Sequence, residues 1–96
     1  MIGNELRKLR DERGLFLRQV AALLEMDSAT LSKMERGLKS VRKEHLIKLS
    51  EIYKVDEKKL VTIWLADKIL YVIDSEDFAA EALEIAKWKI LDDDRG

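Results

Sequence analysis

Apolar residues along the chain recur mostly at helical spacing, with polar caps and glycines between the runs. Ile2, Leu6 and Leu9 make the stripe of a first helix, with Gly3 or Asn4 near its start, Asn4 as a plausible cap, and Gly14 at its end. Leu17, Val20, Ala21 and Leu24 come next at i, i+3, i+4, i+7 and predict a second, short helix. Asp27 stands where an N-cap belongs, because its carboxylate can accept from the free amides of a new first turn. In the helix it opens, Leu31 and Met34 point one way while Ser28, Ala29, Ser32 and Lys33 point the other, and Gly37 closes it. A fourth helix, Lys43 to Tyr53, turns Leu46, Leu49, Ile52 and Tyr53 inward. Asp56 then caps a fifth, with Glu57 favourable at its positive end.

The remainder is more apolar. From Leu60 to Ile73, Val61, Leu65, Ile69 and Val72 form one stripe and Ile63, Ala66, Leu70 and Ile73 another. A helix apolar on nearly every face is covered from several sides, either by its own neighbours or by another subunit. Asp74 to Asp77 mark a break and a capped sixth helix from about Glu76 to Leu91. Phe78, Ala79, Ala82, Leu83, Ile85, Ala86 and Ile90 share its broad face, and Trp88 falls among Glu81, Glu84 and Lys87 on the opposite one. Trp88 is either a cover for aliphatic stems or a partner contact. Asp92 to Gly96 read as a frayed acidic tail.

Composition adds bounds. Ninety-six residues, 47% hydrophobic and 39% charged with no proline, suit one all-α globular domain. The absence of cysteine removes disulfides and thiolate metal sites and fits a reducing cytosol. The N-terminal stretch lacks the apolar core of a signal peptide and no run of apolar residues is long enough for a membrane span, so the chain reads as cytoplasmic. His45 is the single histidine, without a second ligand or a nucleophile beside it. With no glycine-rich phosphate loop either, an enzyme is disfavoured, and no cofactor or metal is expected.

The net charge of −1 is unpromising for a nucleic-acid partner, but it is unevenly spread. Residues 1–45 carry ten Lys and Arg against seven acids, and residues 46–96 carry eight against twelve. The basic bias therefore lies on the half that holds the short helix pair. A helix with an apolar back and a small, polar, partly basic front can lie in the DNA major groove.

The frame Arg13-Gly14-Leu15, then Arg18-Gln19-Val20-Ala21, then Thr30-Leu31-Ser32-Lys33-Met34-Glu35-Arg36-Gly37 resembles the lambda-repressor-like, Xre/Cro-type helix-turn-helix regulators of bacteria and phages. The resemblance covers roughly residues 3–60. Phe16 replaces the Ser or Thr that often caps the first motif helix, Leu17 replaces a common Gln, and Glu25 stands where the turn usually carries Gly. The resemblance implies a helix-turn-helix bundle of four to five helices over residues 1–60; beyond it, residues 61–96 read by their own pattern as a C-terminal helical extension within one compact domain.

It implies further roles. Ser28, Ala29, Ser32 and Lys33 would face bases, and Arg18, Gln19, Lys39, Arg42 and Lys43 would hold phosphates. Arg10 would pair with Glu35, tying the first helix to the reading helix. Apart from the resemblance, the apolar excess of the extension points to a dimer through Val61, Ile63, Trp64, Leu65, Ile69, Leu70, Val72, Ile73 and Trp88. The expected function is sequence-specific binding of double-stranded, palindromic operator DNA by a homodimeric transcriptional regulator. The alternative is an antitoxin-like module that binds a protein through its C-terminal helices and autoregulates its operon. A regulator accompanying a restriction–modification system is a variant of the first reading.

Overall fold

Four residues of positive φ punctuate the bundle: Gly14 (63°), Glu25 (58°), Gly37 (76°) and Lys54 (55°). Each lies just past the end of a helix. The next amide reaches back one turn: Leu15 to the Arg10 carbonyl at 3.1 Å, Met26 to Ala21 at 3.0 Å, Leu38 to Lys33 at 2.8 Å and Val55 to Ser50 at 3.0 Å. These are Schellman closures, which satisfy carbonyls that a helix end leaves open. They divide a computed structural model that describes residues 1–95, with side chains through Asp94.

The elements are α1 (Ile2–Glu12), α2 (Leu17–Leu23), α3 (Ser28–Glu35), α4 (Lys43–Tyr53), α5 (Glu57–Ile73) and α6 (Ala79–Arg95). The fold is all-α, with no strand among the described residues. Asp27 caps α3 by accepting from the Thr30 amide at 2.7 Å, and Asp56 caps α5 by accepting from Lys58 at 2.9 Å. No helix is long and apolar enough to cross a membrane.

The start of α1 differs from expectation. Asn4 lies exposed inside the first turn, and Met1, at the N-cap position, offers no side-chain cap. The cap comes from α5, where Asp67 Oδ2 accepts from the Ile2 amide at 2.7 Å. Gly3 has a second constraint. A Cβ built there would sit 2.5 Å from the Glu35 carbonyl oxygen and 2.8 Å from that of Met34. Only glycine lets the α1 backbone approach the last turn of α3 this closely.

The core is built from the inward stripes. Ile2, Leu6 and Leu9 of α1 meet Val20 and Ala21 of α2, Leu31 and Met34 of α3, Leu46, Leu49 and Tyr53 of α4, and Leu60 of α5. Each fully buried leucine contributes about 1.5–3 kcal/mol of transfer free energy. The packed helix pairs are α2 on α3, α1 on α3, α4 on α5 and α1 on α5. Burial pushes the Tyr53 phenol up to about 12, with the Glu35 charge adding to the effect, so it stays neutral.

Beyond Leu60 the chain departs from its pattern. The boundary expected at residue 60 falls inside α5, so no linker separates the bundle from the C-terminal extension. Phe78, at φ 64°, holds off the last helix until Ala79 rather than Glu76, because a left-handed residue cannot continue a right-handed turn. Asp92 to Asp94, expected to fray, are helical, whereas Gly96 of that stretch lies outside the described residues. The apolar face of α6 is open: Ile85 is 74% exposed, and Leu83 and Ile90 are exposed with it, as is Phe78 just before the helix. The radius of gyration is accordingly 15.7 Å, above the ~12.5 Å of a compact chain this long.

Candidate nucleic-acid interface

The short pair α2 and α3 is joined by four residues, Leu24 to Asp27. The turn needs a left-handed residue after α2, and Glu25 takes it where glycine would be at ease. At the front of α3, Ala29 and Lys33 are exposed and Ser28 and Ser32 are half-buried, while Leu31, Met34 and Glu35 are buried behind. The hydrogen bond from Thr30 holds the Asp27 carboxyl below its ordinary range, and the charges of Lys39 and Lys33 add to this.

Two contacts fix α3 from behind. Arg10 Nε and Nη2 donate to the two Glu35 oxygens at 2.8 and 3.1 Å, a bidentate pair with side chains only 12% and 4% exposed. The same guanidinium donates from Nη1 to the Leu15 carbonyl at 2.9 Å, closing the turn after α1. The hydrogen bond to Glu35 pushes the Arg10 pKa upward against the opposing effect of burial. The second contact is the close approach of the α1 backbone at Gly3.

Arg18 and Gln19 sit exposed in the first turn of α2. Gln19 Oε1 accepts from the Phe16 amide at 2.8 Å, which is half of a capping box whose other half Phe16 cannot supply. The Gln19 oxygen is therefore committed, and its amide NH2 is what it can offer outward. The Arg18 guanidinium stacks over the Phe16 ring at 5.0 Å.

Between α3 and α4, Lys39 and Arg42 are exposed, as is Lys43 at the start of α4, while Val41 is buried and anchors the loop. The Arg42 amide donates to His45 Nδ1 at 3.2 Å, and burial lowers the His45 pKa. The Val41 carbonyl accepts from Trp64 Nε1 at 2.8 Å. Sequence reasoning missed both contacts. His45 stands three residues after Arg42, the capping-box interval, and that spacing could have revealed it. The Trp64 contact had no local signal.

The residues assigned to a dimer interface divide into two groups. Val61, Ile63 and Trp64 are half-buried against the chain's own core, one of the two covers expected for this helix. They lie on the stretch of α5 between Leu60, which is fully buried, and Asp67, which caps α1. Leu65, Ile69, Leu70 and Val72 are exposed, Ile73 is half-buried, and Trp88 on α6 is 69% exposed.

A family model described as a helix-turn-helix domain aligns with residues 2–61. Neither a search of curated proteins nor a search of solved structures found a match. The matched span takes in all of α1 to α4 and the start of α5, including the capped turn, the Arg10–Glu35 pair and the basic loop. The chain belongs to the helix-turn-helix domain family, a family of DNA-binding domains, as its likeness to lambda-repressor-like regulators implied.

Proposed function

We propose that the protein is a homodimeric transcriptional regulator that places α3 in the major groove of a two-fold-symmetric operator. The observation that carries this reading is the division of α3. Its back is locked by Leu31, Met34 and the Arg10–Glu35 pair, and its front presents Ala29 and Lys33 beside the basic loop. Lys33 can donate to guanine acceptors, the Ser28 and Ser32 hydroxyls can donate or accept, and Ala29 can touch a thymine methyl. Arg18, Gln19, Lys39, Arg42 and Lys43 hold phosphates and set register. With three small readers, sequence-dependent DNA shape carries part of the discrimination. The protein acts in the cytoplasm, without a cofactor.

The dimer is supported by the open apolar surface of Leu65, Ile69, Leu70 and Val72 on α5 and Ile85, Trp88 and Ile90 on α6. Linking two motifs makes the second DNA contact effectively intramolecular. Half-site centres then fall about 34 Å apart, one helical turn. Selection of bound sequences from random DNA tests the whole reading, and an inverted repeat at that spacing is the expected result. Enrichment of no sequence overturns it. Sedimentation tests the dimer separately. The full chain sediments as a dimer and Ile69→Glu as a monomer, whereas a monomeric parent at micromolar concentration removes the dimer.

The same open surface supports a second reading, an antitoxin-like protein that covers it with a toxin and autoregulates its operon. A stoichiometric complex with a neighbour-encoded protein, displacing the homodimer, would select that reading.

A further inference from the structure

The loop between α3 and α4 carries Lys39 and Arg42, two of the side chains assigned to phosphates, and its shape decides where their charges go. Its own ends tie it locally, through the Leu38 amide to the Lys33 carbonyl at 2.8 Å and the Arg42 amide to His45 at 3.2 Å. Among the described residues, the hydrogen bond that reaches it from elsewhere is the one from Trp64, 23 positions along the chain. We infer that Trp64 is a positioning residue for DNA binding: its indole N–H, donated to the Val41 carbonyl, holds the loop in the shape that presents Lys39 and Arg42. This rests on the DNA-binding reading above.

Three observations support the assignment. A half-buried indole N–H needs an acceptor, and the Val41 carbonyl is the one it has, in a loop otherwise anchored by the Val41 side chain. The ring itself is fixed, packed against the core, with the Lys68 ammonium over its face at 4.4 Å. The helix that carries it is tied to the bundle one turn further on, where Asp67 caps α1. The strut therefore ends on rigid structure at both sides. It also places the loop in contact with the helix that bears Leu65 and Ile69, so the DNA-backbone grip and the proposed dimer face share one element.

The test replaces the donor and keeps the ring. Trp64→Phe removes the N–H, and benzothienylalanine at the same position keeps the bicyclic shape while replacing N–H by sulfur. Three readouts are taken: binding to a fluorescein-labelled random-sequence duplex at several salt concentrations, amide exchange over residues 38–43, and the dimer constant by sedimentation. Both variants weaken duplex binding roughly twofold to tenfold, the range for one hydrogen bond. They also flatten the salt slope, because loop cations disengage. Exchange over residues 38–43 quickens and the dimer constant holds. Unchanged binding and exchange overturn the inference, as does a dimer constant that weakens in step with DNA affinity, which would make Trp64 an interface residue. If Trp64→Phe does not fold, the isosteric variant carries the decision. Should the parent fail to bind any duplex while the variants still loosen the loop, the DNA reading fails and the strut stands.

Discussion

The Arg10 guanidinium closes on the Glu35 carboxylate through two parallel hydrogen bonds, at 2.8 and 3.1 Å, and so joins α1 to the last turn of α3. Glu35 is buried, and removing Arg10 strands a charge. Glu35→Ala or Arg10→Met alone therefore costs about 3–5 kcal/mol of stability. The double variant costs less than the sum, with a coupling above 1 kcal/mol, roughly the lower range for residues in contact. Denaturant melts of the four proteins measure it, and a coupling of zero dismisses the pair as a stabilising unit.

Gly3 gives a steric prediction. Gly3→Ala drives a methyl into the Glu35 and Met34 carbonyls, and backbone has little room to yield. The cost is about 1–3 kcal/mol, the usual range for overpacking, although alanine is intrinsically the better helix former. A variant as stable as the parent would show that α1 slides freely along α3.

Glu25 runs the other way. Its φ of 58° carries the penalty that an L side chain meets in the left-handed region. Glu25→Gly raises stability by about 1 kcal/mol, and chemical denaturation is sensitive enough to read that. A loss instead would assign the Glu25 side chain a contact that outweighs its strain.

His45 makes stability depend on pH. Burial sets its folded pKa below the ordinary value near 6.5, and its Nδ1 must be unprotonated to accept from Arg42. The unfolded chain therefore takes the proton first. The contribution is complete above about pH 6.5 and is lost as pH falls through the lower folded value. His45→Gln keeps an acceptor at the same capping position without titrating, so its melting temperature falls less than the parent's between neutral and mildly acid pH. Parallel pH curves for the two proteins would refute this.

On the proposed reading, Lys33 reads bases and Arg42 holds a phosphate, and substitutions separate the two. Lys33→Ala relaxes preference at one base pair per half-site, by about 1–3 kcal/mol. Arg42→Ala weakens all sequences alike and flattens the salt dependence by about one unit of slope. Competition among single-base operator variants distinguishes them. An even loss across sequences for Lys33→Ala reassigns that residue to a phosphate.

The features legible in the sequence are the local ones. The stripes through Leu6, Leu24, Leu31 and Leu49 and the caps at Asp27 and Asp56 depend on neighbours a few positions away, so spacing alone reveals them. The Asp67 cap joins residues 65 apart and the Trp64 strut residues 23 apart, and no periodicity encodes either. Asn4 reads as the α1 cap because the true donor–acceptor pair exists only once α5 has docked. The pattern of α6 says that Leu83, Ile85 and Ile90 need cover, but an amphipathic face does not name what covers it. Phe78 counts in that face by spacing, yet its left-handed backbone takes it out of the helix.

The split of α3 into a buried back and an exposed front also bears on how the protein can change over generations. Leu31, Met34 and Glu35 take the folding constraints, while Ala29 and Lys33 contribute almost no packing. Substitutions at exposed sites like these usually shift stability by less than about 0.5 kcal/mol. The front can thus be rewritten while the scaffold is inherited intact. On the proposed reading, a lineage that duplicates this gene can diverge in its targets through a few codons, at little cost in stability.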